Sequence, residues 1–415
     1  MRWLVDSLFM KIYFVPFLLD FILFMVQLRL SDASGREMRL SNAQATGLLV
    51  AFNLAYFVVC PFVGRALNAR TTRPILLFSI AAILLLGVPL LWTTSWLPAL
   101  ILMSGLGASA ALAFNSFQSL MRGRSPEGAL SATVAKYNVS WSLGIGSGFL
   151  LGGVLKSLGQ PIWLSALCGL AVAAIWWMIW SESAPPIGDG AASSTRFARD
   201  GTKHDTNARG VNERDAIAET GFGDARYVAI GWSLCLTANF VQRPLATFLP
   251  KFSAQAGHSA WMAGALLCAL MWSQVLGGYV TYRRANWLYT ARPIVVLQIG
   301  TALALCGLWM SRSYAMSLMA MVFLGVLHGF AFFCAVFYCS NSLRSAHNVG
   351  INEMSVSVGN IGGMIGCNAA IRWMGSDLAF YPATIAFSLL MLGAQMWWLR
   401  GARVMSPAET EAMPA

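Results

Sequence analysis

Long apolar runs recur along the whole length of this chain, and they constrain its fold more than any other feature. A helix needs about 20 mostly apolar residues to cross the hydrocarbon core of a bilayer. The runs are longer than the strands of a membrane β-barrel and lack their period-two alternation. We therefore predict an all-α membrane protein with twelve transmembrane helices. The predicted spans are residues 9–30, 43–66, 74–94, 97–120, 131–155, 161–180, 228–250, 259–282, 291–310, 315–340, 349–372 and 377–399.

The composition excludes several classes of function. Only 11% of the 415 residues are charged, against about 25% in soluble domains. The net charge of +11 does not indicate nucleic-acid binding, because the basic residues lie at the ends of apolar runs rather than in one patch. Eight cysteines without a CxxC pair and four scattered histidines indicate no metal site, disulfide framework or cofactor. No Ser/His/Asp or metal constellation suggests an enzyme.

The start of the chain resembles a signal peptide, because it is basic and then apolar. Asp20 interrupts this run, which is long and is followed by many further spans. We therefore predict a retained first helix.

One connection is long and polar, whereas the others are short. Residues 181–227 are rich in charge, Gly, Ala and Ser, which predicts a disordered linker. This linker divides the spans six and six. The predicted organisation is an N-terminal six-helix bundle at 1–180, the linker, a C-terminal six-helix bundle at 228–400 and a tail at 401–415.

The distribution of basic residues predicts the orientation. With a cytoplasmic N-terminus, 20 of the 28 Lys and Arg residues fall on the cytoplasmic side, as the positive-inside rule requires. We therefore expect both termini and the linker to be cytoplasmic. The expected location is the plasma membrane, which in a bacterium is the inner membrane.

Two stretches of the chain repeat themselves half its length apart. "YNVSWSLGIGSG" at 137–148 matches "NEMSVSVGNIGG" at 352–363 with an offset of 215. "GRALNARTTRPI" at 64–75 matches "RRANWLYTARPI" at 283–294 with an offset of 219, which aligns Arg73 with Arg292. The order and near-equal offsets indicate a duplicated six-helix unit, whose even number of spans leaves the two halves in parallel topology.

Twelve spans in two halves joined by a long linker resemble the major facilitator superfamily. The family has a loop pattern, G-x-x-x-D-R-x-G-R-R, between helices 2 and 3. Here Gly64 and Arg73 match it, whereas Asn68, Ala69 and Thr71 replace its acidic, basic and second glycine residues. The resemblance implies a gating role for this loop, which the departures weaken.

A second pattern of that family, G-x-x-x-G-P-x-x-G-G in helix 5, is associated with exporters. Gly144, Gly148, Gly152 and Gly153 match it, and Phe149 replaces the proline. The resemblance further implies alternating access about a central site, with helices 1, 4, 7 and 10 lining the cavity. Helices 2, 5, 8 and 11 would then form the faces between the halves.

Asp20 is the sharpest candidate for function, because ionisable groups inside a membrane span are costly and usually face a cavity or a partner. Tyr13, Asp20 and Gln27 recur every seven residues and so share one helix face. Asp20 is expected to couple protons or contact substrate; the alternative is a structural pair with a buried Arg or Lys.

Three polar residues share one face of the seventh span: Asn239, Gln242 and Arg243. Arg243 has three possible roles. It could hold an anionic substrate by bidentate hydrogen bonds, neutralise Asp20, or snorkel to the membrane interface.

Further polar residues lie in the fourth and tenth spans. Asn115 and Gln118 share a face suited to substrate hydrogen bonds, although interhelical packing explains them equally well. His328 could titrate near neutral pH or serve as a hydrogen-bonded packing residue.

Lys136 in the fifth span and Glu353 in the eleventh are candidates for gating. A contact between them would join the two halves in one access state and break in the other. Simple interfacial charges are the alternative.

Glycines form stripes on the same two spans: Gly144, Gly148 and Gly152, and again Gly359 and Gly363. Small residues let helices approach closely in lipid. These stripes are predicted to pack helices 5 and 11 where the halves meet.

The predicted function is transport of a small solute by a proton-coupled monomer. We predict secondary-active transport, because the chain contains no GxxxxGK[ST] nucleotide-binding motif. The alternatives are a proton-antiport exporter of drugs or metabolites, and a non-transporting membrane protein that binds a ligand or partner.

Overall fold

The chain forms a helical bundle in the computed structural model. The described residues are 13–36, 42–68, 70–123, 130–157, 161–181, 225–255, 257–311, 313–342 and 345–400. Within them lie twelve α-helices: α1 (Phe14–Arg36), α2 (Asn42–Ala66), α3 (Thr72–Trp92), α4 (Trp96–Gly123), α5 (Leu130–Ser157), α6 (Pro161–Ser181), α7 (Ala225–Gln255), α8 (Ala260–Arg283), α9 (Ala291–Met310), α10 (Tyr314–Ser340), α11 (Ser345–Met374) and α12 (Phe380–Leu399).

Each predicted span coincides with one of these helices, so the predicted fold class is confirmed. The largest differences lie at the polar ends. α1 continues to Arg36 rather than to residue 30, α7 runs from Ala225 to Gln255 rather than over 228–250, and α11 begins four residues before its predicted span. Residues 9–12 of the first predicted span lie outside the described residues. A helix continues past its apolar run because its backbone groups bond within the helix whether or not lipid surrounds them. Most of the predicted linker and the tail at 401–415 lie outside the described residues.

Ten helices among the described residues are long and apolar enough to cross a membrane. The two others are α1 and α7, the first helices of the N-terminal half (α1–α6) and the C-terminal half (α7–α12). In α1 the part whose side chains the structure describes, Phe14–Gln27, is a shorter apolar stretch, and α7 contains Arg226, Arg243 and Lys251. Both helices carry candidate site residues, among them Asp20 on α1 and Arg243 on α7.

The glycine stripe of α5 packs against α1. A Cβ atom at Gly144 would overlap the carbonyl oxygen of Phe17, and one at Gly148 would lie 2.6 Å from the carbonyl oxygen of Phe21. Gly152 is also buried. The backbones of α1 and α5 therefore approach as closely as only glycine permits.

The same arrangement recurs in the C-terminal half. A Cβ at Gly359 would lie 2.5 Å from the carbonyl oxygen of Leu236, and one at Gly363 would lie 2.5 Å from that of Phe240. The glycines of α5 and α11 thus pack on the first helix of their own half. The expectation that these stripes face the opposite half is wrong, because that side of each helix is taken by other residues.

The two halves meet chiefly where α5 packs on α8 and α2 packs on α11. The α5–α8 contact is close: a Cβ at Gly264 would lie 2.6 Å from the carbonyl oxygen of Phe149, and one at Gly153 would lie 2.9 Å from that of Ala260. The hydrogen bonds that cross it are long, at 3.4 Å from Ser142 to Gln274 and at 3.4 Å from Trp272 to the Leu143 carbonyl oxygen.

The α2–α11 contact is instead bridged by side-chain hydrogen bonds. The amide of Asn360 donates to Asn53 Oδ1 at 2.8 Å, and the amide of Asn368 donates to Thr46 Oγ1 at 2.7 Å. The halves are thus held by packed backbone on one side and by discrete polar contacts on the other.

Candidate functional site

A cavity of about 160 Å³ lies between the two halves. Eight helices contribute to its wall: α1, α4, α7 and α10, as the resemblance implied, and also α2, α5, α8 and α11. Among the described residues, the other four helices contribute none of its lining. The lining is Asp20, Leu23, Phe24, Gln27, Phe52, Asn53, Tyr56, Phe114, Tyr137, Trp141, Ile145, Cys235, Asn239, Gln242, Arg243, Ala246, Met271, Phe332, Val336, Asn352, Glu353, Val356, Ser357 and Asn360.

Arg243 of α7 lies in the cavity wall and is only 7% exposed. Its Nη1 donates to the side-chain oxygen of Gln27 on α1 at 2.7 Å. Its Nε and Nη2 atoms have no hydrogen-bond partner among the described residues. The structure therefore does not place this guanidinium at the membrane surface, and one edge of it is buried without a hydrogen-bond partner among the described residues.

Asp20 of α1 also lines the cavity and is 4% exposed. Its Oδ2 atom has no hydrogen-bond partner in the described part of the chain, and no ion pair there joins Asp20 to Arg243. Gln27, which binds Arg243, lies about 10 Å further along the helix axis. The two opposite charges thus face one cavity from separate places, and the predicted structural pair is not formed.

Glu353 of α11 is held by the opposite half. Its carboxylate accepts a hydrogen bond from the Tyr56 hydroxyl of α2 at 2.6 Å and another from the Gln118 amide of α4 at 2.8 Å. Gln118 also contacts the Tyr137 hydroxyl at 3.2 Å. Because all these groups are buried, this cluster is a polar connection between the halves at one end of the cavity.

Lys136, the predicted partner of Glu353, is engaged elsewhere in this structure. Its Nζ lies 5.8 Å from the ring centroid of Tyr13, and Ser140 of the same helix donates to the Tyr13 carbonyl oxygen. A contact between Lys136 and Glu353 stays a prediction for another access state.

The amide side chains divide into two groups. Asn239 and Gln242 line the cavity, and Gln242 contacts His328 Nδ1 at 2.8 Å, so the buried His328 lies behind the wall and positions this amide. Asn115 donates to the Ala111 carbonyl at 2.8 Å and approaches Cys60 Sγ at 3.4 Å. Its contacts are those of interhelical packing.

The two loop arginines lie away from the cavity. Arg73 Nη2 donates to the Trp180 carbonyl oxygen at 2.8 Å and so closes the end of α6, whereas Arg292 is exposed in the first turn of α9. Asn68, at the acidic position of the family's loop pattern, accepts hydrogen bonds from the backbone of Arg70 and Thr71. This asparagine shapes a turn rather than carrying a charge.

Several lining residues were missed by the sequence reasoning. The polar ones are Asn53 and Tyr56 on α2, and Asn352, Ser357 and Asn360 on α11. Their signal was the density of polar groups around Glu353 and the three-residue spacing of Asn53 and Tyr56. The aromatic ones had no signal, because aromatic residues occur throughout the apolar spans.

The Tyr56–Glu353 bond predicts a stability effect. Tyr56→Phe removes a buried donor to a carboxylate, and hydrogen bonds to charged groups contribute about 1.5–3 kcal/mol. We expect a lower thermal midpoint in detergent than for Tyr314→Phe, whose hydroxyl bonds the Met262 carbonyl within one half. The effect should be smaller in a Glu353→Gln background, because the two residues are coupled. Equal effects of the two tyrosine variants would contradict the assignment.

Among the described residues no cluster of His, Cys, Asp or Glu could hold a metal ion. The polar groups of the cavity lining are one guanidinium, two carboxylates, several amides, hydroxyls and a thiol, set in an aromatic wall.

Comparisons with known proteins agree with the fold. The family model for the Major Facilitator Superfamily matches residues 9–367 of the chain. A crystal structure of a bacterial homolog to the human lysosomal transporter Spinster, in an inward-facing and unoccupied conformation, is similar with a TM-score of 0.63. That likeness covers 96% of each chain at 16% sequence identity, which shows a shared fold. No curated relative matches the chain.

Proposed function

Because this chain belongs to the major facilitator superfamily and is a multi-pass membrane protein that transports a solute, we propose that it does so by proton-coupled alternating access. The solute binds in the cavity between the halves, and the two bundles rock about it to expose it to one side of the membrane at a time.

The observation that carries this proposal is the asymmetry of the contacts around the cavity. α5 and α8 pack chiefly through glycine, and the hydrogen bonds between them are 3.4 Å long. α2 and α11 are instead joined by individual hydrogen bonds of 2.6–2.8 Å at Asn53, Tyr56 and Thr46. Individual hydrogen bonds can be exchanged for bonds to water at modest net cost. The side containing α2 and α11 can therefore separate while the α5–α8 contact acts as a pivot.

Asp20 is the proposed proton carrier. A buried carboxylate oxygen without a partner makes the charged form costly, so a proton binds there readily while the cavity is closed to water. Glu353 differs, because two donors hold its oxygens. The other charged or titratable groups of the cavity wall are Tyr56, Tyr137, Cys235 and Arg243. Of these, the positive charge of Arg243 favours the ionised form of Asp20 and so opposes proton binding there.

The proposed setting is the plasma membrane, the inner membrane in a bacterium, with a monomer whose two termini are cytoplasmic. Support comes from the excess of Lys and Arg in the segments assigned to that side. The division at the segment following α6, into bundles at 1–180 and 228–400, belongs to the same proposal. It is supported by the equivalent glycine contacts of α5 on α1 and α11 on α7.

The proposal is tested by flux. The purified chain is first screened against small solutes by thermal shift at two pH values, since a bound ligand raises apparent stability. Solutes that bind are then offered to proteoliposomes with an imposed pH gradient. Accumulation that follows the gradient and collapses with a proton ionophore is the expected result.

The direction of flux separates the remaining candidates. A proton antiporter, which the glycine pattern of α5 favours, would expel solute as protons enter; a symporter would accumulate it. Saturable binding without flux in either direction would show a binding protein and contradict transport.

A further inference from the structure

The cavity carries a binding element that the transport cycle alone does not require. We infer that it takes a small carboxylate with an apolar, ring-sized body, whose carboxylate is bound bidentately by the Nε–Nη2 edge of Arg243. This inference rests on the proposed function, because it names the class of solute that the same cavity accepts.

The geometry of the guanidinium is the first step. Nη1 is occupied by Gln27 at 2.7 Å, whereas Nε and Nη2 have no hydrogen-bond partner among the described residues. Those two nitrogens point parallel N–H bonds in one direction, which is the fork that matches the two oxygens of a carboxylate. Gln27 thus orients the guanidinium, and the bidentate edge is buried and unpaired in this conformation, so a carboxylate that enters the cavity would satisfy it.

The second step is the free energy needed to bury that unpaired edge. A guanidinium that is 7% exposed is expensive to bury unless a counter-charge or full hydrogen bonding satisfies it. The two carboxylates of the cavity wall do not fill the edge: Glu353 is bonded to Tyr56 and Gln118, and Asp20 lies about two helical turns from Gln27 along α1. The missing anion is therefore supplied by the ligand.

The remaining wall indicates the body of that ligand. Aromatic rings from both halves line the cavity, and Trp141 of α5 meets Phe332 of α10 edge to face at 5.0 Å between ring centroids. A cavity of about 160 Å³ is close to the engineered apolar cavity of about 150 Å³ that binds benzene. The body is thus one ring or a short branched chain.

The test compares matched ligands on the full chain in detergent at pH 7. The acids are benzoate, phenylacetate and 3-phenylpropionate; the comparison compounds are 3-phenylpropionamide and 3-phenylpropylamine. We expect at least one acid to raise the thermal midpoint and to show saturable binding by calorimetry. The neutral amide should bind at least about tenfold more weakly than its acid, because it loses charge-assisted hydrogen bonds.

Variants then assign the binding to the guanidinium. Arg243→Gln should abolish acid binding, and Arg243→Lys should weaken it about tenfold or more, because lysine keeps the charge but not the fork. Lys251→Gln removes another cation of α7, one that pairs with Asp377 outside the cavity, and should leave affinity unchanged. If Arg243→Gln does not fold, Arg243→Lys decides.

Three results would overturn the inference: no acid binds, the amine binds as well as the acids, or Arg243→Lys retains wild-type affinity. Failure of the transport proposal is distinguishable from these. Acid that binds through Arg243 but is not moved in proteoliposomes would leave the binding class standing and remove the transport. Flux of an uncharged or cationic solute without acid binding would do the reverse.

Discussion

Replacing Asp20 by asparagine should abolish accumulation driven by a pH gradient. Asparagine has nearly the same shape as a protonated aspartate but cannot release a proton, so the carrier remains in one protonation state. A pH difference of one unit is equivalent to about 1.4 kcal/mol and supports about tenfold accumulation per coupled proton. We expect wild-type vesicles to approach that ratio and Asp20→Asn vesicles to remain near one.

The measurement separates coupling from binding. Exchange of labelled against unlabelled solute without a pH gradient should persist in Asp20→Asn, because exchange needs the cavity but no net proton movement. Asp377→Asn is the matched control, since this carboxylate pairs with Lys251 and is 37% exposed at its side chain. Accumulation by Asp20→Asn equal to that of the wild type would remove Asp20 from proton coupling.

Gly277→Ala should lower the thermal stability of the protein more than the same substitution at the adjacent glycine of α8. A Cβ atom there would overlap the carbonyl oxygen of Val326 on α10, which belongs to the backbone and cannot rotate away. Overpacking of an interior costs about 1–3 kcal/mol and sometimes more. For a chain of this length that corresponds to a fall of about 1–4 °C in the thermal midpoint in detergent, and we also expect a smaller yield of monodisperse protein.

The adjacent glycine provides the control. A Cβ at Gly278 would meet its nearest neighbour, the carbonyl oxygen of Gly329, at 3.7 Å, which is an ordinary contact. Gly278→Ala should therefore keep the midpoint within about 1 °C of the wild type, since alanine also restricts the unfolded chain. A similar loss in both variants would show that general helix properties, rather than the α8–α10 crossing, set the effect.

The sequence showed that the two halves are equivalent, but it did not show which helix each glycine stripe packs on. The repeat aligned Gly144 with Gly359 and Gly148 with Gly363. In the structure the glycines of both pairs have the same packing role: each lies against the first helix of its own half. Sequence spacing placed each stripe on one face of a helix, but the neighbour of that face depends on how the helix is rotated within the bundle.

The residues of the candidate site were also only partly predictable from the sequence. Asp20 and Arg243 were identifiable because charges are rare in apolar spans. Glu353 was identified too, but with Lys136 as its partner rather than Tyr56 and Gln118. Asn115 and His328 share the polarity of the cavity residues, yet they lie behind its wall. Polarity marks a residue as costly in lipid and does not say which polar neighbour relieves the cost.

The sequence by itself determined the membrane-spanning fold, the number of helices and the duplicated plan. Each helix satisfies its own backbone in lipid, so its existence follows from a local run of apolar residues. Only the tertiary structure decided which edge of Arg243 remains unpaired, which carboxylate already accepts hydrogen bonds and which aromatic rings line the cavity. Those outcomes depend on the rotation and tilt of each helix, which are set by packing against helices distant in the chain.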